Sequence, residues 1–440
     1  MIKRRDRLLQ SYSVVISESK TEILVFVIFC IFVFLCNVGY EFFKFKQFTQ
    51  KSHQFLNVKV EQIYTKEGKN AKTYNVLRLN AGEFSFYTTL KSTQIDIADK
   101  KYLKIGVITK NLDFVNYIKH TFYLPNFKII PIDKELNLKD KLVDFIAHQH
   151  EIPKLKELYS ALFFATAISK ELRRNITNWG VAHIVSISGF HLGLLFGFLF
   201  FILKPIYKIA QNNHFPYRNA NFDITFAILV LMFGYLWLLD FTPSFLRSLI
   251  MACICFILLS FGLKVFNFTN LLLTIVIALS FNPSLIFSIG FYFSCLGVFF
   301  IFLYIHHFGD KKDLTSKTKM ALHTLYLEIF VFSAMNIPVY YFFSSASFYQ
   351  LSVIPLGYIF VVFYPVSIIL HIFGYGGLLD EYMLSFLNLA YEQTKIEVPT
   401  WLFICFNVSL LFFIKFKKLA LLVAFVGMAL FMIPLTLASF

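Results

Sequence analysis

The stretch Val181-Ala-His-Ile-Val-Ser-Ile-Ser-Gly-Phe-His-Leu-Gly-Leu194 puts two histidines and two serines at the mouth of an apolar run. Ionisable and polar groups at membrane depth are costly, and where they occur they face a bundle interior or a water path. His183 and His191 are eight residues apart. A single helix through the stretch would therefore place both on roughly one face, with Ile187 between them. Gly189, Gly193 and Gly197 repeat at a spacing of four, the small-xxx-small pattern that lets helix backbones approach closely in a bilayer. Gly290 is a further small residue of this kind in a later apolar run. The expectation is one helix with a polar face toward a path and a glycine packing stripe.

Outward from this stretch the composition sets the class. Hydrophobic residues make up 57% of the 440, charged residues 15%, and the mean hydropathy is +0.65. Those values exclude an ordinary soluble globular domain. Uncharged apolar runs recur at 23–40, 184–203, 224–239, 248–263, 269–281, 285–305, 324–343, 349–372, 401–414 and 419–438. A polytopic α-helical membrane protein of about nine or ten spans follows, some of them short enough to be re-entrant. The 57 phenylalanines reflect this bias rather than a binding device. All six cysteines fall in apolar runs without metal-site spacing, so neither a disulfide framework nor a metal site is expected.

Lys3, Arg4, Arg5 and Arg7 precede the first run, which lacks a small-residue cleavage site and reads as a retained anchor. The positive-inside rule then places residues 1–20 in the cytoplasm and exports 41–180. The chain returns to a basic loop with Lys204, Lys208 and Arg218, and a second basic loop carries Lys311, Lys312, Lys317 and Lys319. Lys415, Lys417 and Lys418 also call for the cytoplasm, yet alternation puts them outside. One stretch between 345 and 372 is therefore expected to enter and leave on one side, or to be two half-spans.

In the exported segment Leu56, Val58 and Val60 alternate with Asn57, Lys59 and Glu61. Asn80-Ala81-Gly82 is a turn before the alternating Phe84 and Phe86, and Tyr102 to Thr109 is a further strand candidate. About five short strands in roughly 80 residues predict a small β-barrel. From 134 to 178 the period is helical, carried by Leu142, Phe145, Ile146, Leu155, Leu158, Leu162 and Phe163. Residues 40–178 hold 23 Lys and Arg against 14 Asp and Glu, a net +9, which suits a polyanion as well as a solvated basic surface.

His183 to Leu194 resembles the core motif of the ComEC/Rec2 competence family, inner-membrane proteins through which naturally transformable bacteria import single-stranded DNA. Three further segments agree in the same order. Pro243-Ser-Phe-Leu-Arg-Ser-Leu-Ile-Met251 resembles a Pro-Ser-x-x-Arg-x-x-x-Met segment. Asn282-Pro283 with Gly290-Phe-Tyr-Phe-Ser294 resembles an Asp-Pro…Gly-Phe-x-Leu-Ser segment. Phe342-Phe343-Ser344, Leu351-Ser352 and Pro355 sit where the family has a Phe…Ser…Asn-x-x-x-x-Pro segment. Ala161-Leu-Phe-Phe-Ala165 and Asn178-Trp-Gly180 fit its upstream small-residue helix and the glycine before the histidine. Asn282 replaces the usual Asp, Tyr292 a common Gln, and Gln350 an Asn.

The resemblance implies a DNA path lined by His183, Ser186, Ser188, His191, Arg247 and Ser294. Arg247 is there either a phosphate contact or the partner of Asp240. It also implies an OB-like extracytoplasmic domain binding single strands through Lys59, Lys72, Arg78 and Lys91 with Tyr64, Tyr74, Phe84, Phe86 and Tyr87, each aromatic being a core candidate as well. Partners would be single-stranded DNA, the lipid bilayer, a periplasmic DNA receptor and a cytoplasmic helicase or single-strand-binding protein, with a homodimer open. Many members end in a metallo-β-lactamase-like domain whose zinc run is His-x-His-x-Asp-His. Here His148-Gln-His150 is the nearest echo and lacks the Asp, so no nuclease activity, catalytic residue, metal or cofactor is expected.

The domains on this reading are 1–40, a basic cytoplasmic N-terminus and first span; 41–130, the OB-like domain; 131–180, interfacial helices; 181–372, the transmembrane core; and 373–440, an amphipathic segment and final spans. The location is the bacterial inner membrane, N-terminus inside. Two other functions fit the same features. A secondary transporter of a small anionic or lipid-linked substrate would also use glycine-broken helices. A membrane-embedded hydrolase would need an acid in the spans, for which Asp240 is the candidate; Ser188 lacks a nucleophile elbow.

Overall fold

The computed structural model describes residues 20–67, 73–90, 101–132, 136–214, 216–262, 268–309, 316–389 and 393–438. The chain enters as α1 (Lys20–Thr49) and passes straight into a sheet. Six strands follow: β1 (His53–Glu67), β2 (Thr73–Asn80), β3 (Ser85–Leu90), β4 (Tyr102–Ile108), β5 (Thr121–Tyr123) and β6 (Asn126–Pro131). A short helix α2 (Phe114–Ile118) lies between β4 and β5. The order across the sheet is β5-β3-β2-β1-β4-β6, with β3 and β5 parallel and the other pairs antiparallel.

The expected barrel is therefore not closed, because β5 and β6 form opposite edges. One reason lies in β1, whose 15 residues serve two neighbours in turn. Its first half pairs with β4, its second with β2, and a bulge between Val60 and Gln62 marks the handover. Phe45 and Phe48 at the end of α1 pack with Phe84, Phe86, Leu103, Ile105 and Phe122, so the first span also supplies the core of the sheet.

Three helices line the next layer: α3 (Leu138–Ala147), α4 (Pro153–Phe164) and α5 (Lys170–Asn178). Asn137 caps α3 by accepting from the Asp140 N–H. The Asp140 carboxylate in turn accepts from Lys59 of β1 and Tyr102 of β4. Burial alone would raise that carboxyl. The Lys59 ammonium and Tyr102 hydroxyl outweigh burial and hold it below its ordinary value, while Tyr102 is pushed up to about 12 by burial and by Asp140.

A depressed carboxyl contributes stability that is present above its ordinary value and lost as pH falls through the folded one. The contact between sheet and α3 should accordingly loosen below about pH 4. Amide exchange in 138–144 is expected to accelerate there relative to the chemical rate and to stay flat above it. Asp140→Asn should exchange fast throughout.

After the short α6 (Ala182–Val185) come α7 (Gly189–His214), α8 (Ala220–Leu238), α9 (Pro243–Ser260), α10 (Phe268–Phe281), α11 (Ile289–Phe308), α12 (Lys317–Phe342) and α13 (Val353–Ile372). The chain closes with α14 (Asp380–Leu387), α15 (Thr400–Lys415) and α16 (Lys417–Ala438); strands β7 (Ser345–Ala346) and β8 (Thr394–Lys395) pair near the end of α12. Each of the ten apolar runs is a helix, and eight are long and apolar enough to cross a membrane. The other two, α10 and α15, have 14 and 16 residues.

The stretch expected to re-enter or split is not two half-spans. A 3-10 turn, Phe348–Ser352, runs directly into α13, and together they make a 25-residue candidate span. Asn37 in the middle of α1 donates to the Ser280 carbonyl at 2.8 Å, which ties the first span to α10. On the far side α12 and α16 pack with α11 and α15 around Phe300, Leu303, Ala334, Tyr340, Phe406 and Phe431. The closest approach there is at Gly427, where an added Cβ would overlap the Ser333 carbonyl oxygen.

Candidate functional site

The histidine–serine stretch is not one helix. It breaks after α6, runs extended through Ser186, and restarts at Gly189, so helical periodicity does not carry from His183 to His191. Gly180 (φ +68) begins the excursion. A Cβ there would come within 2.9 Å of the Gln350 carbonyl oxygen, a clash only glycine avoids. The Gln350 side chain accepts from Tyr340 at 2.8 Å and donates to the carbonyls of Thr177 (3.1 Å) and Ser345 (3.0 Å). Gly180 and Gln350, singled out in separate motifs, thus meet and place α6.

The break sends the two histidines to different surroundings. His183 and Ser186 are exposed, whereas His191 is fully buried. The His191 ring meets Tyr364 edge-on at 4.9 Å and Phe360 at 5.3 Å, and its Nδ1 accepts from the Ser188 N–H at 3.3 Å. Ser188 Oγ accepts from the Phe190 N–H at 3.3 Å, which makes these two side chains a cap for α7. His191 Nε2 then carries the proton and has no partner among the described residues. His191 is therefore a buried capping group and not an accessible wall of a path, as had been expected of it.

The glycine stripe is also reduced. At Gly189 a Cβ would stand 2.6 Å from Ser248 Oγ and 3.3 Å from Arg247 Nη2, a true close contact of α7 with α9. At Gly193 and Gly197 it would meet nothing within 4 Å, and at Gly290 nothing nearer than Ser288 Oγ at 3.9 Å. Among the described residues none of these three is a close-packing contact. The close-packing glycine that sequence periodicity missed is Gly427, whose carbonyl accepts from Asn336 at 3.1 Å.

Arg247 lies at the centre of the arrangement and is 3% exposed. Its Nε donates to Ser294 Oγ at 2.7 Å, its Nη2 to Ser248 Oγ at 2.7 Å, and its Nη1 faces Met251 Sδ at 3.6 Å. Ser294 also accepts from Ser244 at 3.1 Å. Among the described residues no carboxylate pairs with Arg247. Asp240, the alternative partner, is exposed and bonded to Lys139 at 2.6 Å. It occupies a turn in which Asp240 (φ +52) and Phe241 (φ +55) are both left-handed, strain that bends the chain sharply into α9.

Gly189 opens α7, Arg247 lies in the second turn of α9, and Ser294 lies in the second turn of α11. Residues from the first two turns of three helices therefore meet at one guanidinium. A buried cation with hydroxyls and a thioether for company makes a centre suited to a bound anion.

The departures from the family pattern keep their local chemistry. Asn282 caps the following 3-10 turn through Ser284 N–H (3.2 Å), and Tyr292 donates to Asn407 at 2.9 Å. An acid that sequence reading passed over, Glu328, lies inside α12.

The described residues among those proposed for DNA on the sheet do not form a groove. Phe86 is fully buried and Phe84 is 8% exposed, so neither can stack on a base. Lys59 is held by Asp140, and Arg78 Nε lies 2.8 Å from Glu61. Tyr74 is exposed; Tyr64 lies under Lys170, 4.5 Å from its ring centroid; Lys72 and Lys91 fall outside the described residues.

An exposed aromatic and basic face lies instead on β1, β4 and β6. Phe55 pairs in register with Gly106, and Gly106 with Lys128, which sets them in one row. The Phe127 ring covers Gly106 and meets Phe55 and His53 at 5.4 Å, while the Lys104 ammonium is 5.6 Å from the Phe55 ring. Alternation places His53, Phe55, Lys104 and Lys128 on the face opposite Val58, Leu103, Ile105 and Val107, and the irregularity in the β4–β6 register between Gly106 and Val107 lets the Phe127 ring join them.

Residues 164–439 match the model of a protein family described as Competence protein. No curated protein and no solved structure matches the chain.

Proposed function

The chain belongs to the Competence protein family, and so to DNA uptake in natural transformation, and on that footing we propose that its helical core passes a single strand of DNA across the bacterial inner membrane. The observation that carries this reading is the buried Arg247 guanidinium, which has no carboxylate partner among the described residues and lies where α7, α9 and α11 meet. A phosphate that reaches it as these helices part would meet a cation and the hydroxyls of Ser248 and Ser294. Ser186 and His183 are the accessible groups on the neighbouring break, while Ser188 and His191 hold the start of α7 in place. The chain acts as a conduit, with no bond made or broken in the strand it carries. Its partners are single-stranded DNA and the competence proteins that deliver and receive it.

Deletion of the gene is expected to abolish transformation by purified chromosomal DNA while labelled DNA still binds the cell and enters the periplasm. A deletion strain that transforms normally, or that no longer admits DNA to the periplasm, overturns the reading.

The sheet then meets the strand before the core does. His53, Phe55 and Phe127 offer stacking faces and Lys104 and Lys128 offer charge, the combination by which single strands are held without sequence preference. A soluble fragment of residues 41–132 should bind oligonucleotides with an affinity that drops steeply as salt rises. Joint replacement of Phe55 and Phe127 by alanine should weaken binding by about tenfold or more, since each stacked base contributes about 1–3 kcal/mol. Fluorescence anisotropy over a salt series measures both effects.

A further inference from the structure

His148-Gln-His150 attracts notice in the sequence only as an incomplete metal run, and the fold puts its second histidine to another use. His150 sits in the turn between α3 and α4, His371 in the last turn of α13, and Asp380 at the start of α14. His150 Nδ1 lies 2.8 Å from Asp380 Oδ1, and its Nε2 lies 3.0 Å from His371 Nε2. His371 Nδ1 is 2.7 Å from the Ser367 carbonyl oxygen. Both rings are 2% exposed, and the Asp380 side chain, 15% exposed, is the end nearer solvent.

Made as hydrogen bonds, these contacts require a definite number of protons. The Ser367 carbonyl only accepts, so His371 donates from Nδ1 and its Nε2 carries a lone pair. His150 must then donate from Nε2. The third contact, between His150 Nδ1 and the Asp380 carboxyl, needs a hydrogen of its own. Two neutral imidazoles supply two hydrogens and the chain of contacts uses three. Making all three contacts hydrogen bonds therefore requires one proton more than a carboxylate and two neutral rings, wherever along the first contact it is drawn. Without that proton, two lone pairs face each other at one of the contacts.

The surroundings hold this geometry rigidly. Tyr159 of α4 stacks flat on His150 at 4.4 Å with planes 2° apart, and Phe163 meets His371 edge-on at 5.0 Å. A Cβ at Gly376 would fall 2.5 Å from His371 Cδ2, so the backbone presses on the ring. Gln149 closes the other side, donating to the His371 carbonyl at 3.0 Å and accepting from the Gly376 N–H at 2.9 Å.

The other charged and titratable groups nearby are engaged or turned away. Tyr159 is the titratable group of α4 against both rings. Lys154 is taken by Glu171 and Asn388, and His148 faces the Asp144 carbonyl. Glu151 and Glu381 are exposed, and Tyr364 of α13 packs on Phe163. Among the described residues, His150 is the one group that ion-pairs with Asp380.

We propose that Asp380, His150 and His371 form a buried proton-binding site that fastens α3 and α4 to the junction of α13 and α14 while its proton is in place. Because that junction adjoins the core and α3 carries the sheet, release of the proton loosens the joint between the exported domain and the spans. Closure takes up one proton, so by linkage it weakens as pH rises, by up to tenfold per pH unit once the site begins to empty.

Amide hydrogen exchange of the full chain in membranes, from about pH 5 to about pH 9 and corrected for the chemical rate, tests this through peptides covering 144–152 and 371–381. Protection in both is expected to fall together as pH rises. In Asp380→Asn, which removes the negative partner of the proton, the fall should begin at lower pH. In His150→Gln, which removes the ring that joins the other two groups, the pH dependence shared by the two peptides should be lost. A flat profile in the unaltered protein overturns the proposal whether or not the variants fold, and so does an unchanged slope in His150→Gln.

Discussion

Replacing Arg247 by glutamine is expected to reduce transformation by about a hundredfold or more while the protein remains in the membrane at its normal level, since losing one partner of a desolvated charged contact costs about 2–5 kcal/mol. The buried guanidinium has three hydroxyl or thioether partners and, among the described residues, no carboxylate. An uncompensated buried charge costs several kcal/mol, so the protein without DNA should gain nothing from it. The thermal midpoint of purified Arg247→Gln in detergent should therefore equal or exceed that of the unaltered protein. Arg247→Lys keeps the charge but not the fork, and should fall between the two in transformation. A glutamine variant that unfolds or disappears would show that the arginine ties α7, α9 and α11 together and is not held in reserve for an anion.

Gly427→Val should remove most of the protein from the membrane. An added Cβ at this position overlaps the Ser333 carbonyl oxygen, and a backbone atom cannot rotate aside as a side chain can. Separating α12 from α16 would also break the bond from Asn336 to the Gly427 carbonyl and open the cluster around Ala334 and Phe431. Overpacking of this kind costs about 3 kcal/mol or more. Immunodetection in membrane fractions, with Gly193→Val as the comparison, checks it. Nothing lies within 4 Å of a Cβ at Gly193, so that variant should be retained.

The ten apolar helices were legible because spanning length and the absence of charge are local properties of sequence. The break at Ser186 to Ser188 was not, since its cause lies elsewhere in the chain: Gly180 against Gln350, and Ser188 with His191 capping a new helix. Arg247, Ser294 and Gly189 were each marked by the motif that contains them. Their meeting around one guanidinium depends on how three helices cross, which spacing along a chain does not report.

The sheet shows the same limit. Alternation identified β1 and β3 but could not tell which of two aromatic faces is inward, and Phe84 and Phe86 lie on the inner one. The face with Phe55, Phe127 and Lys128 arises from register between β1, β4 and β6. The link from His150 to His371 and Asp380 joins residues more than 200 positions apart.

The first helix has a mechanical consequence. Thirty residues of α-helix measure about 45 Å against an apolar bilayer core of about 30 Å, so about 15 Å of α1 stands clear of the hydrocarbon. That free length ends as a plug, Phe45 and Phe48, inside the sheet, and no linker intervenes. A tug or twist on the sheet domain is thus delivered down a stiff rod to Asn37 and its grip on α10. The domain behaves as the head of a lever rather than as a float on a tether, and whatever pulls on it also pulls on the helices that frame Arg247.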